Sequence, residues 1–318
     1  MTKIVSAFGI IATALLVMAS PGAARAQASL TWISGAGSGT ACTRAAPCAT
    51  LTAAYGATAA GGEIDILDGG TFGGVSITKA LAIVNVGAGV ASVTSIVMST
   101  SLPTDEVILR GLNFVPYDGT SFALREDGAG SLVVDHCTFH EYQGAYAIEL
   151  APTGAGKLRV VDTVISNSGS SSYAAVYLAS QPGVSATAQF ERVQIINSPA
   201  NAIRADSTAS GAGPVSVQLH DVTVDGSGGG SGIVAVSPAS GGAKATVIAD
   251  NVTAVNNAGY GLRAVGGTAT IKLTRSTVTN NGIGIGASTG GALISYGDNR
   301  ITDNVNGDGS PTSTLALK

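Results

Sequence analysis

The chain has 318 residues, with 16 Lys and Arg against 20 Asp and Glu, and glycine at 44 positions. Removal of a leader ending at residue 28 takes away Lys3 and Arg25 and no acid, so the remainder carries 14 − 20 = −6 charges. An acidic chain with few basic residues neutralises few phosphates, which excludes nucleic acid as an expected partner. Apolar residues alternate with Thr, Ser and Asn in short runs. This pattern predicts an all-β protein with many turns.

The first 28 residues have the pattern of an export signal. Lys3 supplies a positive start, residues 10–18 are an apolar run, and small residues at 24–28 offer cleavage sites. The run is shorter than the ~20 residues that span a bilayer. We therefore expect an exported protein, periplasmic or extracellular, with no membrane span after the signal is removed.

The three cysteines have two different expected roles. Cys42 and Cys48 lie close together in a chain expected to reach an oxidising compartment, which predicts a disulfide between them. The alternative is a pair of free thiols. Their spacing, without a nearby His or further Cys, is not a zinc pattern, and no metal site is predicted. Cys137 stands at an apolar position and is expected to be a small core residue.

An eight-residue phrase recurs from residue 110 to residue 304, with successive starts 23 to 30 residues apart. Examples are DHCTFHEY from 135, ERVQIINS from 191 and TRSTVTNN from 274. The third position is usually apolar, although Thr163, Ser276 and Asn299 interrupt it. The fifth position is apolar in every window: Phe114, Phe139, Ile165, Ile195, Val224, Ala254, Val278 and Ile301.

This repeat predicts a parallel β-solenoid. Side chains alternate along a strand, so positions three and five should point inward and positions two, four and six outward. A single period cannot bury its own apolar face, whereas stacked parallel coils bury all of them in one core. Propellers and leucine-rich repeats require phrases that this chain lacks.

The seventh position is asparagine in four windows, at Asn167, Asn197, Asn256 and Asn280. Asparagine tolerates the left-handed backbone of a sharp bend, and its amide can bond the equivalent residue of the next coil. We therefore predict that these four residues form a structural asparagine ladder and not a binding site.

The segment before the repeats suggests a cap and a family resemblance. Leu51, Ala54, Tyr55 and Ala59 fall at helical spacing, and a short helix there would cover the open edge of the first coil. The order of this helix, "EIDIL", "GGTF" and "VSITKAL" resembles the opening of right-handed parallel β-helix proteins of the pectate-lyase-like superfamily. The resemblance spans about residues 30–305 and is close to exported bacterial members without an assigned activity.

The resemblance implies an all-β fold, a single-stranded right-handed parallel β-helix with a short N-terminal capping helix. The expected organisation is a signal peptide at 1–28, a cap at 29–60, the β-helix at 61–306 and a tail at 307–318. The fold hosts lyases, hydrolases, esterases, tailspikes and adhesins, so it decides little about function.

The search for catalytic residues gives one weak candidate set. Hydrolases of this group carry Asn-Thr-Asp, Asp-Asp, Gly-His-Gly and Arg-Ile-Lys elements, and none of them occurs here. Lyases of the group combine calcium-binding acids with a base that removes a proton next to a carboxylate. At the second window position, Asp162, Arg192 and Asp221 would lie on successive coils. The competing interpretation is a surface ladder of alternating charge. His136 and His140 are too far apart along a strand to share one zinc ion.

Two surface features suggest a carbohydrate partner. Position four forms an outward polar wall from Asn113 to Arg300, and Tyr117 and Tyr142 share position eight. We expect a non-catalytic structural solenoid, or one that binds a polysaccharide or cell-surface glycan, without a cofactor. The alternatives are a polysaccharide lyase or glycoside hydrolase acting on acidic polysaccharide, in the lyase case with calcium, and a cell-surface adhesin.

Overall fold

The computed structural model describes residues 27–116, 122–144, 146–169 and 174–316 and shows a right-handed parallel β-solenoid of about 10 turns. This confirms the predicted fold class. Residues 1–26, which hold most of the expected signal, and Tyr117 lie outside the described residues. Within the described ranges, none of the helical segments has the length and apolar character needed to cross a membrane.

The helix is α1, Leu51–Ala57. The strands of the described part are, in chain order, β1 Ala28–Ile33, β2 Thr58–Thr71, β3 Val75–Ile77, β4 Leu81–Val93, β5 Ile96–Met98, β6 Glu106–Arg110, β7 Leu112–Phe114, β8 Phe122–Glu126, β9 Ser131–Asp135, β10 Thr138–His140, β11 Tyr146–Leu150, β12 Gly156–Val161, β13 Val164–Ser166, β14 Ala174–Ala179, β15 Ala186–Glu191, β16 Gln194–Ile196, β17 Asn201–Asp206, β18 Val215–His220, β19 Thr223–Asp225, β20 Ile233–Val236, β21 Ala245–Asp250, β22 Thr253–Val255, β23 Tyr260–Val265, β24 Ala269–Thr274, β25 Thr277–Thr279, β26 Ile283–Ser288, β27 Ala292–Ser295, β28 Arg300–Thr302 and β29 Ser313–Thr314.

A typical coil contains three strands, as in β12, β13 and β14. Each of them pairs in parallel with its counterpart one coil later, namely β15, β16 and β17. We call the three resulting sheet faces the long face, the short face and the third face. In the first coils, β2 and β4 continue from the long face into the short face, so these two faces form one sheet.

The predicted fifth-position column is confirmed. Its members lie in register on the short face, from Phe114 and Phe139 through Ile165 to Ile301. All are buried except Ile301, which is partly buried against the core. The rings of Phe114 and Phe139 stack with their centroids 4.3 Å apart. An equivalent inward column on the third face consists of Leu124, Ile148, Val176, Ile203, Ile233, Leu262 and Ile285.

Two of the polar residues at the third position point inward and satisfy their own hydrogen bonds. The Thr163 hydroxyl donates to the Val161 carbonyl at 2.8 Å and accepts from the Cys137 amide at 3.3 Å. The Ser276 hydroxyl likewise donates to the backbone of Thr274 at 2.7 Å. A buried hydroxyl with these partners avoids the cost of an unpaired polar group. The predicted core position therefore tolerates them.

Position two points outward as predicted, but it lies at a bend and not in the short strand. Position two lies in the left-handed backbone region, with φ between 48° and 55° at the following residues: His136, Asp162, Arg192, Asp221, Asn251 and Arg275. One left-handed residue turns the chain sharply between the long strand and the short strand of each coil. This conformation costs an ordinary residue about 1–2 kcal/mol, which is why Asp, Asn and Gly are favoured there.

The cap closes the first coil with a helix and a disulfide loop. The hydroxyl of Thr50 accepts from the Ala53 amide at 3.2 Å and begins α1, whose Leu51 and Ala54 are buried. At the other end, Lys79 Nζ donates to the Tyr55 carbonyl at 3.0 Å. The predicted capping helix is thus confirmed. β1 already pairs in parallel with β2, so regular pairing begins at residue 28, inside the segment expected to be the cap.

The bond between Cys42 and Cys48 in the purified protein stays a prediction. The structure joins Cys42 to Cys48, and their loop pairs with Trp32 on both sides. Closing so short a loop constrains the unfolded chain little, so reduction is expected to cost only about 2 kcal/mol. Mass spectrometry of alkylated, non-reduced protein should show Cys42 and Cys48 unlabelled. Labelling of both would contradict the prediction.

Candidate functional site

The four predicted ladder asparagines lie at the second bend of each coil. All have φ between 49° and 57°, in the left-handed region. The Asn280 side chain donates to Asn256 Oδ1, and Asn256 Nδ2 donates to Asp225 Oδ1 at 2.8 Å. Asn197 is followed in the next coil by Gly226, which has no side chain and interrupts the column. The structure therefore brings together Asn256 and Asn280 and does not extend the ladder through all four.

A second, buried asparagine ladder lies one residue later. Asn257 Nδ2 donates to Asn281 Oδ1 at 2.7 Å, and Asn281 Nδ2 donates to Asn304 Oδ1 at 2.9 Å. The Asn281 side chain also donates to the backbone of Ala254 at 3.0 Å. Asn281 is fully buried. These contacts are all internal, so the buried asparagines stabilise the bends, whereas Asn256 and Asn280 are exposed.

The candidate catalytic set is only partly assembled. Arg192 binds Asp162 with two hydrogen bonds, at 2.6 and 2.8 Å, and also contacts Glu191. Asp221 instead accepts from Asn251. The Arg192 guanidinium lowers the pKa of the Asp162 carboxyl, and hydrogen bonding to Asp162 raises the pKa of Arg192. A guanidinium held between two carboxylates is a poor base, so this column has the chemistry of a surface charge ladder.

One set of three side chains near the same bends consists of residue types that can bind a metal ion. Ligand atoms of Asp135, His136 and Asp162 lie within 4.8 Å of one another. However, Arg110 Nε binds Asp135 at 2.8 Å, and Arg192 binds Asp162. A cation would have to displace two guanidinium groups, which already neutralise the carboxylates. His140 is not part of this group; its ring contacts the Ser166 hydroxyl at 2.9 Å.

The position-four wall lies on the outer side of the short face, as expected. Thr223, Thr253 and Thr277 are in register there. Tyr142, however, is only 2% exposed, and its hydroxyl donates to the carbonyls of Thr94 and Val115. Its ring is therefore part of the core and offers no surface for stacking a sugar.

The described surface has several depressions; a larger one of about 670 Å³ lies at the cap, beside Thr40 and Ala53, and two lie on the outer side of the long face. One of about 520 Å³ covers β1, β2, β4 and β6, and a second of about 210 Å³ covers β9, β12 and the start of β15. Both are lined by Glu106. We call the second depression and its rim the outer groove, defined by Glu106, Ser131, Val133, Lys157, Arg159, Thr187 and Gln189.

Register organises the outer groove into two columns along the solenoid axis. Glu106, Ser131, Lys157 and Thr187 pair from coil to coil. Ile108, Val133, Arg159 and Gln189 form the parallel column. Members of a column are about 4.8 Å apart, the spacing between neighbouring strands. The groove therefore presents a charged or hydroxyl group beside an apolar, cationic or amide group at each coil.

The cations of the outer groove are accessible. The Arg159 side chain is 53% exposed and makes one contact, from Nη2 to Glu191 Oε2 at 3.0 Å. Lys157 is exposed, and none of the ion pairs in the described ranges involves it. Both side chains can thus donate further hydrogen bonds to a ligand.

The interpretation of the eight-residue phrase missed the outer groove. The phrase begins where a long strand ends, so it does not include the residues of that strand. Their signal is the alternation in KLRV, TAQF, SVQL and TIKL, where every second residue is polar. Aligning these segments would have placed Lys157, Arg159 and Gln189 on one outward face.

Comparison of the chain with models of known families, with curated proteins and with solved structures finds no match.

Proposed function

We propose that the protein is an exported, non-catalytic solenoid that binds an extended polysaccharide or cell-surface glycan along the outer groove. The observation that supports this is the pair of in-register columns, which places two outward side chains at matching positions of each coil. A glycan lying along the solenoid axis would meet ammonium, guanidinium and amide donors, the Glu106 carboxylate as an acceptor, and Val133 as an apolar contact for the face of a sugar ring.

A binding role fits this surface better than catalysis. Catalysis of elimination requires a base that is free to take a proton, whereas Arg192 is engaged by Asp162 and Glu191. In the groove itself, the polar side chains can donate to or accept from hydroxyl groups. The proposal therefore assigns recognition to the groove and a structural role to the charge ladder.

The test is binding of wild-type and variant protein to a panel of neutral, acidic and amino polysaccharides, measured by affinity electrophoresis. The double variant Lys157→Ala/Arg159→Ala is expected to bind at least about tenfold more weakly, since hydrogen bonds from charged groups contribute about 1.5–3 kcal/mol each. Lys272→Ala is the matched control, because Lys272 lies in the same column as Arg159 but four coils further on. Equal binding by the double variant and wild type would refute the groove as the site.

The same panel tests the enzymatic alternative. We expect that no unsaturated product forms, with or without calcium, when the reaction is monitored by ultraviolet absorbance. Turnover that Arg192→Ala or Asp162→Ala abolishes would replace the binding proposal with a lyase.

A further inference from the structure

A carboxyl group lies inside the solenoid without a hydrogen bond of good geometry. Glu126 ends β8 and is 0% exposed. Its in-register neighbours are the buried side chains of Met98 and Leu150. Neither Glu126 oxygen has a hydrogen bond of good geometry in the described part of the chain, although the Gly128 backbone lies close enough to lower the pKa of the carboxyl and partly opposes the effect of burial. Since an unpaired buried carboxylate is strongly disfavoured, the group must be held there as the neutral acid.

The carboxyl packs beneath two loops that meet at one corner of the solenoid. These loops are residues 127–130, after β8, and residues 152–156, which end on Gly156, the first residue of β12. A Cβ atom on Gly156 would lie 2.8 Å from Glu126 Oε2 and 2.4 Å from the Pro152 side chain, so only glycine fits there. The Thr153 amide donates to the Asp127 carbonyl at 3.1 Å, which joins the loops.

The same corner positions part of the outer groove. Ser131 and Lys157 directly follow the two loops, and both line the groove. The Lys157 amide donates to the Gly130 carbonyl at 2.9 Å, and the Ser131 amide donates to the Asp105 carbonyl at 2.9 Å. Movement of the loops would therefore displace one side of the groove.

The charged groups described around this corner do not neutralise the negative charge that an ionised Glu126 would carry. Asp127 adds negative charge next to it, and burial with this repulsion raises the pKa of Glu126 to about 8. Arg125 points to the outer side of the third face, where its Nε lies 3.4 Å from Asp127 and 3.6 Å from Glu149. Its charge is thus already shared by two other carboxylates.

We infer that Glu126 is a protonation-dependent latch: its neutral carboxyl keeps the two corner loops packed, and loss of its proton to solvent releases them. The inference that the loops open when Glu126 ionises depends on the buried contacts of Glu126 and not on the proposed function. Its consequence, that ligand binding weakens in alkaline solution, rests on the proposed function of the outer groove.

The test is hydrogen exchange of the full-length mature protein at about pH 6 and about pH 9.5, on either side of the Glu126 transition, with exchange times corrected for the intrinsic rate. In wild type, peptides covering 126–131 and 152–157 are expected to exchange at least about tenfold faster at the higher pH. A peptide covering 260–265, on a distant coil of the third face, should not change.

The variant Glu126→Gln keeps the shape and cannot ionise, so its corner should show no pH-dependent loss of protection. If the variant does not fold, Glu126→Met, which matches the neighbouring Met98, serves the same purpose. Equal loss in wild type and the variant, or no loss in wild type, would overturn the latch. Because no ligand is present, either result is independent of whether the groove binds a glycan.

Discussion

Replacement of Phe139 by alanine is expected to lower the free energy of unfolding by about 3–5 kcal/mol. The Phe139 side chain is fully buried and stacks on Phe114 at 4.3 Å, with Ile165 in register on its other side. Truncation removes apolar contact and leaves a cavity in the middle of the column. Strands paired on both sides cannot shift easily to fill it, because each coil is fixed by its neighbours.

The measurement is denaturant unfolding followed by two independent probes, since a solenoid can unfold in parts. Gln194→Ala is the matched control, because Gln194 lies on the outer side of the same face, two coils from Thr138. Its replacement should change the free energy of unfolding by less than about 0.5 kcal/mol. Similar losses for both variants would mean that the fifth-position column does not carry the core.

The fold was predictable because one property repeats. The fifth position is apolar in all eight windows, and a strand with that constraint at each coil must point those residues inward. The bends are less predictable, because Arg192 and Arg275 adopt a left-handed backbone that their residue type does not favour. Asn280 and Asn281 are a second example, because residue type alone does not predict which of two adjacent asparagines faces the core.

The surface and the buried acid were missed for different reasons. Lys157 and Arg159 were overlooked because they lie before the aligned phrase, although their alternation is visible. Glu126 had no usable signal, because a glutamate at the end of a strand is nearly always exposed. Only the position of Glu126 on the inward side of the third face, in register with Met98 and Leu150, reveals it.

The stability of the wild-type protein is expected to fall as pH rises from about 4.5 to about 8 through the ionisation of Glu126. In the unfolded chain this carboxyl ionises near its ordinary pKa of 4.5, whereas in the folded protein burial raises the pKa to about 8. Between these values the folded state holds one more proton than the unfolded state. The contribution of Glu126 is therefore complete below the lower pKa, decreases through the window and is lost above the upper one. At about 1.4 kcal/mol per pH unit, the total is on the order of 5 kcal/mol.

Comparison with Glu126→Gln isolates this contribution from the rest of the protein. The half-buried acids Asp162, Glu191 and Asp250 have lowered pKa values, chiefly through arginine hydrogen bonds, so they contribute in the opposite sense, with stability lost in acid. These groups are common to wild type and variant and cancel in the difference. Denaturant unfolding at intervals across the window should show that the free energy of unfolding of Glu126→Gln, minus that of wild type, rises steadily with pH and levels off above about 8. Parallel curves would mean that Glu126 is not held as the neutral acid, and the latch would fail with it.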